Sequence, residues 1–211
     1  MIWASRAAKN LLPLRREKSN LQTALREWRY TGNYNDLEAP EEDCELCDHP
    51  EIRYQFEIQN LHTGSRLLVG SECINRFGIS ATGEDGETLD AEASRRKVGR
   101  DRSQLIEEAR KRRVVTALVA LAHVDGEFKI ESFIDYLHTR GAFTPKQLSI
   151  LQWRLSKFGV AHNIADFKLT IRRNREKDQL LALEDWKLQL LWPALSPTQR
   201  QFVSDAGRQI A

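Results

Sequence analysis

Apolar residues near the start of the chain fall at Leu14, Leu21, Leu25 and Trp28, with Ala24 between them. Spacings of seven, four and three lay one apolar stripe along a helix, so residues 1–30 are predicted to be helical. Arg15, Arg16, Lys18, Arg26 and Arg29 occupy the remaining surface. Thr31 to Asp36 carries turn-forming residues and is expected to break that helix. An acidic connector, Glu38 to Asp43, follows. The period then changes from helical to two. Tyr54, Phe56 and Ile58 alternate with Gln55, Glu57 and Gln59, as in a half-buried strand. Asn60 to Gly64 supplies turn chemistry, and Arg66 to Val69 reads as the return strand. Ser71 is expected to cap a short helix carrying Cys73, Ile74 and Phe77.

Ala81 to Ala93 is rich in Gly, Thr, Glu and Asp and has no period, which reads as a solvated linker. Helical periodicity resumes at Asp101 and runs to about His123 through Leu105, Ile106, Ala109, Val114, Leu118 and Leu121. A helix from Ile130 to Thr139 is built on Phe133, Ile134 and Leu137. Thr144-Pro145-Lys146-Gln147 opens another with an N-cap, a first-turn Pro and a capping-box Gln. Arg173 to about Leu191 is predicted as one long helix. Ser196-Pro197-Thr198-Gln199 repeats the capping pattern, which we read as one capping solution used twice. The five Trp sit in apolar stripes, so core packing is expected for each.

These elements predict an α+β protein, a small metal-bound β-hairpin finger followed by a mainly α-helical domain. Its parts are an N-terminal helix and connector (1–43), the finger (44–80), a linker (81–99) and the helical domain (100–211). With 41% hydrophobic and 29% charged residues, the chain has the make-up of a folded, water-exposed protein. A net charge of +2 excludes a global basic field, so any attraction to nucleic acid must be local. No signal peptide is read at the N-terminus and no run is long enough to span a membrane.

All three Cys lie in one short window: Cys44-Glu45-Leu46-Cys47-Asp48-His49, then Gly70-Ser71-Glu72-Cys73. Two thiolates on a tight turn, a hairpin and a third thiolate on a helix form a pattern that suits a structural zinc site. An odd, clustered set without an export signal favours a reducing cytoplasm and metal over disulfides. A redox dithiol leaves Cys73 unexplained; three buried structural thiols without metal are another alternative. A catalytic zinc lacks any hydrolase signature around Glu45 or Glu72. For the fourth ligand His49 is the nearest candidate, and His62 at the hairpin tip is the alternative. Position 76, the natural second ligand on the helix, is Arg76, which cannot ligate.

Cys44-x-x-Cys47-x-His49, Tyr54-x-Phe56-x-Ile58-x-Asn60, Thr63-Gly64 and Val69-Gly70-Ser71-x-Cys73-Ile74-x-x-Phe77 resemble treble-clef-like zinc fingers of bacterial and phage proteins. The resemblance covers the finger alone. It implies Zn²⁺ held by Cys44, Cys47, Cys73 and a fourth donor. By fold analogy only, it implies binding of nucleic acid or protein.

Two basic runs add to that expectation. One comprises Arg95, Arg96 and Lys97, the other Arg110, Lys111, Arg112 and Arg113; both are expected to meet phosphates. Arg53, Arg66 and Arg76 on the finger would extend the surface, and Arg172 to Lys177 form a further cluster. The plainer reading of such runs is a solvated helix face paired with Glu107, Glu108, Asp101 and Glu176. No phosphate loop, nucleophile elbow or deaminase pattern is present, so no enzyme is expected. The function expected from sequence is that of a zinc-stabilised accessory or regulatory protein of bacterial or phage origin. It would bind nucleic acid, DNA before RNA. The alternative is an adaptor that docks a protein partner or a second copy of itself.

Overall fold

In the computed structural model, residues 2–16 and 20–208 are described; the expectations for Met1, Lys18 and the last three residues lie outside them. The chain is mixed α+β and divides into two compact units, Met1–Ala109 and Arg110–Ala211. No described helix is long and apolar enough to cross a membrane.

The first unit is built on a four-stranded sheet. Helices α1 (Ile2–Leu11) and α2 (Leu21–Leu25) precede β1 (Trp28–Asp36), β2 (Tyr54–Asn60), β3 (Arg66–Val69), α3 (Ser71–Arg76) and β4 (Ser80–Ala81). The order across the sheet is β3-β2-β1-β4. The predicted hairpin forms as expected, with Phe56 opposite Val69 and Ile58 opposite Leu67. The long N-terminal helix does not. Asn20 caps a separate short helix, and Trp28, Arg29 and Tyr30 enter a strand that pairs antiparallel with β2.

The expected turn at 31–36 is the second half of that strand. The register shifts between Tyr30 and Tyr34, so the turn-forming residues make a bulge. Gly32 takes φ +92° there. Thr31 Oγ1 and Asn33 Nδ2 both donate to Glu57 Oε1 at 3.0 Å and hold the bulge to β2. Trp28, Tyr30, Phe56 and Ile58 are fully buried beneath the sheet. Truncating a buried aromatic of this kind typically costs about 3–5 kcal/mol.

Ser71 is the first residue of α3, and the cap position is Gly70, which makes no side-chain capping bond. The segment expected as a linker is largely structured. β4 pairs parallel to β1 through Arg29–Ser80 and Tyr30–Ala81, Thr82 bridges Thr88, and α4 begins at Ala91. Helix α4 (Ala91–Val124) gives Val98 and Leu105 to the first core. It gives Val114, Leu118 and Leu121 to the second. The compact units therefore divide within α4.

The second unit contains α5 (Glu131–Arg140), α6 (Pro145–Lys157), α7 (Asn174–Leu181), α8 (Asp185–Leu191) and α9 (Pro197–Asp205). Both predicted capping boxes form, at Thr144 with Gln147 and at Ser196 with Gln199. The single helix expected from Arg173 to Leu191 is two. Arg208 donates to the carbonyls of Leu181 and Leu183, satisfying groups that a continuous helix would need for itself. Leu137, Phe143, Leu148, Leu151, Leu155 and Leu180 are fully buried in this core. Trp28 is in a core as expected, but Trp3, Trp153 and Trp186 are 36%, 41% and 48% exposed.

Candidate metal centre

Cys44 and Cys47 are presented by a tight turn. Cys47 N and Asp48 N both donate to Cys44 O, at 3.2 and 2.9 Å, while Cys44 N donates back to His49 O at 2.9 Å. Asp48 closes the turn at φ +53°, a conformation that Asp tolerates better than most residues. A bridge between Glu42 and Ile52 pins the stem below it, and Glu45 N donates to Leu68 O at 3.1 Å, docking the turn on β3. Cys73 arrives from the other side on the first turn of α3.

The three sulfurs meet. Cys44 Sγ and Cys73 Sγ are 3.6 Å apart and Cys47 Sγ and Cys73 Sγ 3.0 Å apart, and all three ligand atoms lie within 4.8 Å of one another. Tetrahedral bonds of the Zn–S length set an edge of about 3.8 Å, close to the first of these separations. All three are buried free thiols. The Cys44 thiol is lowered to about 5, first by its hydrogen bond with Cys73 and then by backbone groups of Gly70, Cys47 and Leu46, which outweigh burial. Cys73 is pushed up by that same bond, by burial and by Cys47, and Cys47 is pushed up chiefly by burial. Three buried sulfurs this close repel one another when ionised, so each opposes the charge of the next. A cation at their centre removes the repulsion and lets all three ionise. Cys44, Cys47 and Cys73 can therefore hold a metal ion.

Among the described residues no fourth His, Cys, Asp or Glu atom joins this group. His49 lines the same cavity as the three sulfurs, with its ring 5.6 Å from that of Trp3. His62 is exposed at the hairpin tip, away from the cavity lining. Asp48, next along the turn, has its carboxylate engaged by Asn10 Nδ2 at 2.6 Å.

That bond belongs to a contact the sequence reading missed. Trp3, Arg6 and Asn10 recur at i, i+3 and i+7 on one face of α1, and that face grips the Cys turn. Asn10 Nδ2 also reaches Leu46 O at 3.4 Å, Arg6 reaches Asp48 O at 3.4 Å, and Trp3 meets His49. Arg76 lies over the Trp3 ring at 4.8 Å. The signal was present as an i, i+3, i+7 repeat, but none of its members is apolar throughout, so a search for an apolar stripe passes over it.

The cavity beside the sulfurs, of about 270 Å³, is lined by Trp3, His49 and Tyr54 and by three guanidinium groups, Arg53, Arg76 and Arg102. Arg53 is held by Asp36 at 2.7 Å and lies over the Tyr54 ring at 5.1 Å. Arg102 pairs with the exposed Glu72 at 3.5 Å.

The basic run expected to meet phosphates divides into residues of different kinds. Arg95 is exposed, Arg96 pairs with Glu92, and Lys97 pairs with Asp101 at 3.5 Å. Arg110 is only 5% exposed and donates to the carbonyls of Asp166 and Gly141, so its guanidinium serves the fold and is not presented outward. Arg113 makes a two-pronged pair with Asp166 at 2.7 and 2.8 Å. Lys111 is half-buried and Arg112 exposed.

Comparison with known proteins finds no matching family model, no matching curated protein and no matching solved structure.

Proposed function

We propose that the first unit is a zinc-stabilised finger of treble-clef type and that the protein binds nucleic acid as an accessory or regulatory factor. Three thiolates on a tight turn and a helix start suit Zn²⁺, which is redox-inert and takes tetrahedral sulfur and nitrogen donors. Cys44, Cys47 and Cys73 supply three donors, and His49, on the rim of the same cavity, is the proposed fourth. The ion acts as a cross-link that ties the Cys turn to α3.

The nucleic-acid part rests on one observation: Arg53, Arg76 and Arg102 converge on a cavity with Trp3, His49 and Tyr54 in its wall. Guanidinium groups pair with phosphate oxygens, and aromatic rings accept unpaired bases. The proposed binding surface is therefore the finger itself, with Arg95 as an outlying contact, instead of the run 110–113.

The test is a titration of the full chain against single- and double-stranded DNA and RNA at two salt concentrations. Arg76→Ala with Arg102→Ala is expected to weaken binding to every sequence and to reduce the slope of log K against log salt by about two. Folded, zinc-loaded protein that binds no nucleic acid at low salt would overturn this reading.

A further inference from the structure

Soluble chains seldom cluster large exposed apolar side chains without a use for them. Of the large apolar residues exposed here, Ile150, Trp153 and Trp186 line one groove in the second unit, where Leu183 joins them. The groove is about 460 Å³ and runs between α6 and the α7–α8 pair. A second hollow, of about 410 Å³, shares Lys146, Ile150 and Gln179 with the first and extends it to Tyr136. The two are contiguous: the apolar surface lies in the first, and the second adds Tyr136 among mainly polar and cationic walls.

The solvent-exposed charges in the lining of both are cationic. Lys146 and Lys187 border the first stretch, and Lys146, Arg173 and Arg175 border the second. None of Lys146, Arg173 and Arg175 is in an ion pair among the described residues, and Lys187 pairs only with the exposed Glu184. The one carboxylate in the lining, Glu176, is buried and takes its bonds from Arg173 N and Thr170 Oγ1. Gln179 stands where the stretches meet, and its Oε1 is out of solvent with no donor among the described residues.

A nucleic-acid strand would use such tryptophans as stacking platforms. Here both already carry a cation from their own helix: Lys157 Nζ lies 5.0 Å from the Trp153 ring and Lys187 Nζ 5.0 Å from that of Trp186. What the groove offers is apolar surface between cations. That combination fits an amphipathic helix with acidic flanks, whose apolar residues at i, i+3, i+4 and i+7 enter the groove while its carboxylates meet the rim.

We propose that the groove between α6 and α7–α8 is the docking site for an acidic amphipathic helix of a partner protein. This function stands apart from the finger and does not depend on zinc or nucleic acid. The protein would then join a nucleic-acid contact in one unit to a protein contact in the other.

The probe is a fluorescein-labelled 18-residue peptide with Leu at helical a and d positions and Glu at most others, measured by anisotropy against the full zinc-loaded chain. It is expected to bind more tightly than the same peptide with Lys for Glu. Trp153→Ala and Trp186→Ala are each expected to weaken it about 10-fold or more, as truncated interface anchors do. Lys146→Glu with Arg175→Glu, which leaves the tryptophans intact, should weaken the Glu peptide and tighten the Lys peptide, a reversal that an unfolded chain would not show. Equal binding of the two peptides, or tryptophan variants that bind as the wild type does, would overturn the proposal. So would displacement of the peptide by an oligothymidine strand weakened by the same variants, which would make the groove a nucleic-acid site. A chain found dimeric by sedimentation and made monomeric by Trp153→Ala would also overturn it, since the occupant would then be a second copy.

Discussion

Asn10 donates its side-chain amide to the Asp48 carboxylate at 2.6 Å, and through that bond the first helix holds the turn that carries Cys44 and Cys47. The bond links residues 38 positions apart, with α2 and β1 between them, and it holds a residue at positive φ. Groups that orient a ligand turn without touching the ion commonly alter metal affinity 10- to 100-fold. Asn10→Ala is therefore expected to weaken zinc retention by about that range, measured by competition with a chromophoric chelator, while leaving the sheet folded. Unchanged retention would show that the turn holds its shape without α1.

His49 and His62 separate two versions of the ligand set. With His49 as the fourth donor, His49→Ala lowers zinc affinity and His62→Ala leaves it unchanged. The reverse result would move the donor to the hairpin tip, and equal retention in both would point to a carboxylate or water.

Arg110 and Arg112 lie two residues apart on α4 and are expected to behave differently. Arg110→Ala strips the bonds from two carbonyls, of Asp166 and Gly141, and should cost about 1–3 kcal/mol in denaturant unfolding of the second unit. Arg112 is exposed, and Arg112→Ala should stay within about 0.5 kcal/mol. Charge reversal across 110–113 is thus a test of folding before it is a test of binding.

Tyr30 donates to Asp101 at 2.9 Å. Burial, then the Asp101 charge, push its phenol above the ordinary value. A proton held more tightly by the folded chain stabilises the fold fully below the unfolded value, near pH 10. That contribution falls as pH rises beyond it. Urea midpoints of the wild type should drop steeply above about pH 10. Tyr30→Phe should start about 1 kcal/mol lower but decline less steeply. Parallel curves would remove Tyr30 as the source.

Local patterns were legible where one period ruled. Tyr54, Phe56 and Ile58 announced β2, the Thr144 and Ser196 boxes announced α6 and α9, and the clustered Cys announced the sulfur site. Where two periods coincided, the reading followed the wrong one. Trp28 and Tyr30 alternate as a strand, but Leu21, Leu25 and Trp28 also fit a helix, and pairing with β2 decided for the strand. Gly32 and Asn33 carry turn chemistry that a bulge uses equally well. At the break between α7 and α8 the Leu181 and Leu183 carbonyls are taken by Arg208, which no window around residue 182 contains. β4 is two residues long and exists only because β1 offers an edge. At the site, the grip of α1 on the Cys turn is a long-range contact between polar residues, which periodicity does not report.

The central claim is that Cys44, Cys47 and Cys73 hold zinc. Metal analysis of the full chain, purified without chelator, tests it directly. About one zinc per chain is expected, falling to near zero in Cys73→Ser, because one tetrahedral site takes one ion and loses its anchor on α3. Wild-type protein that carries no zinc, or a Cys73→Ser variant that retains it in full, would contradict the account.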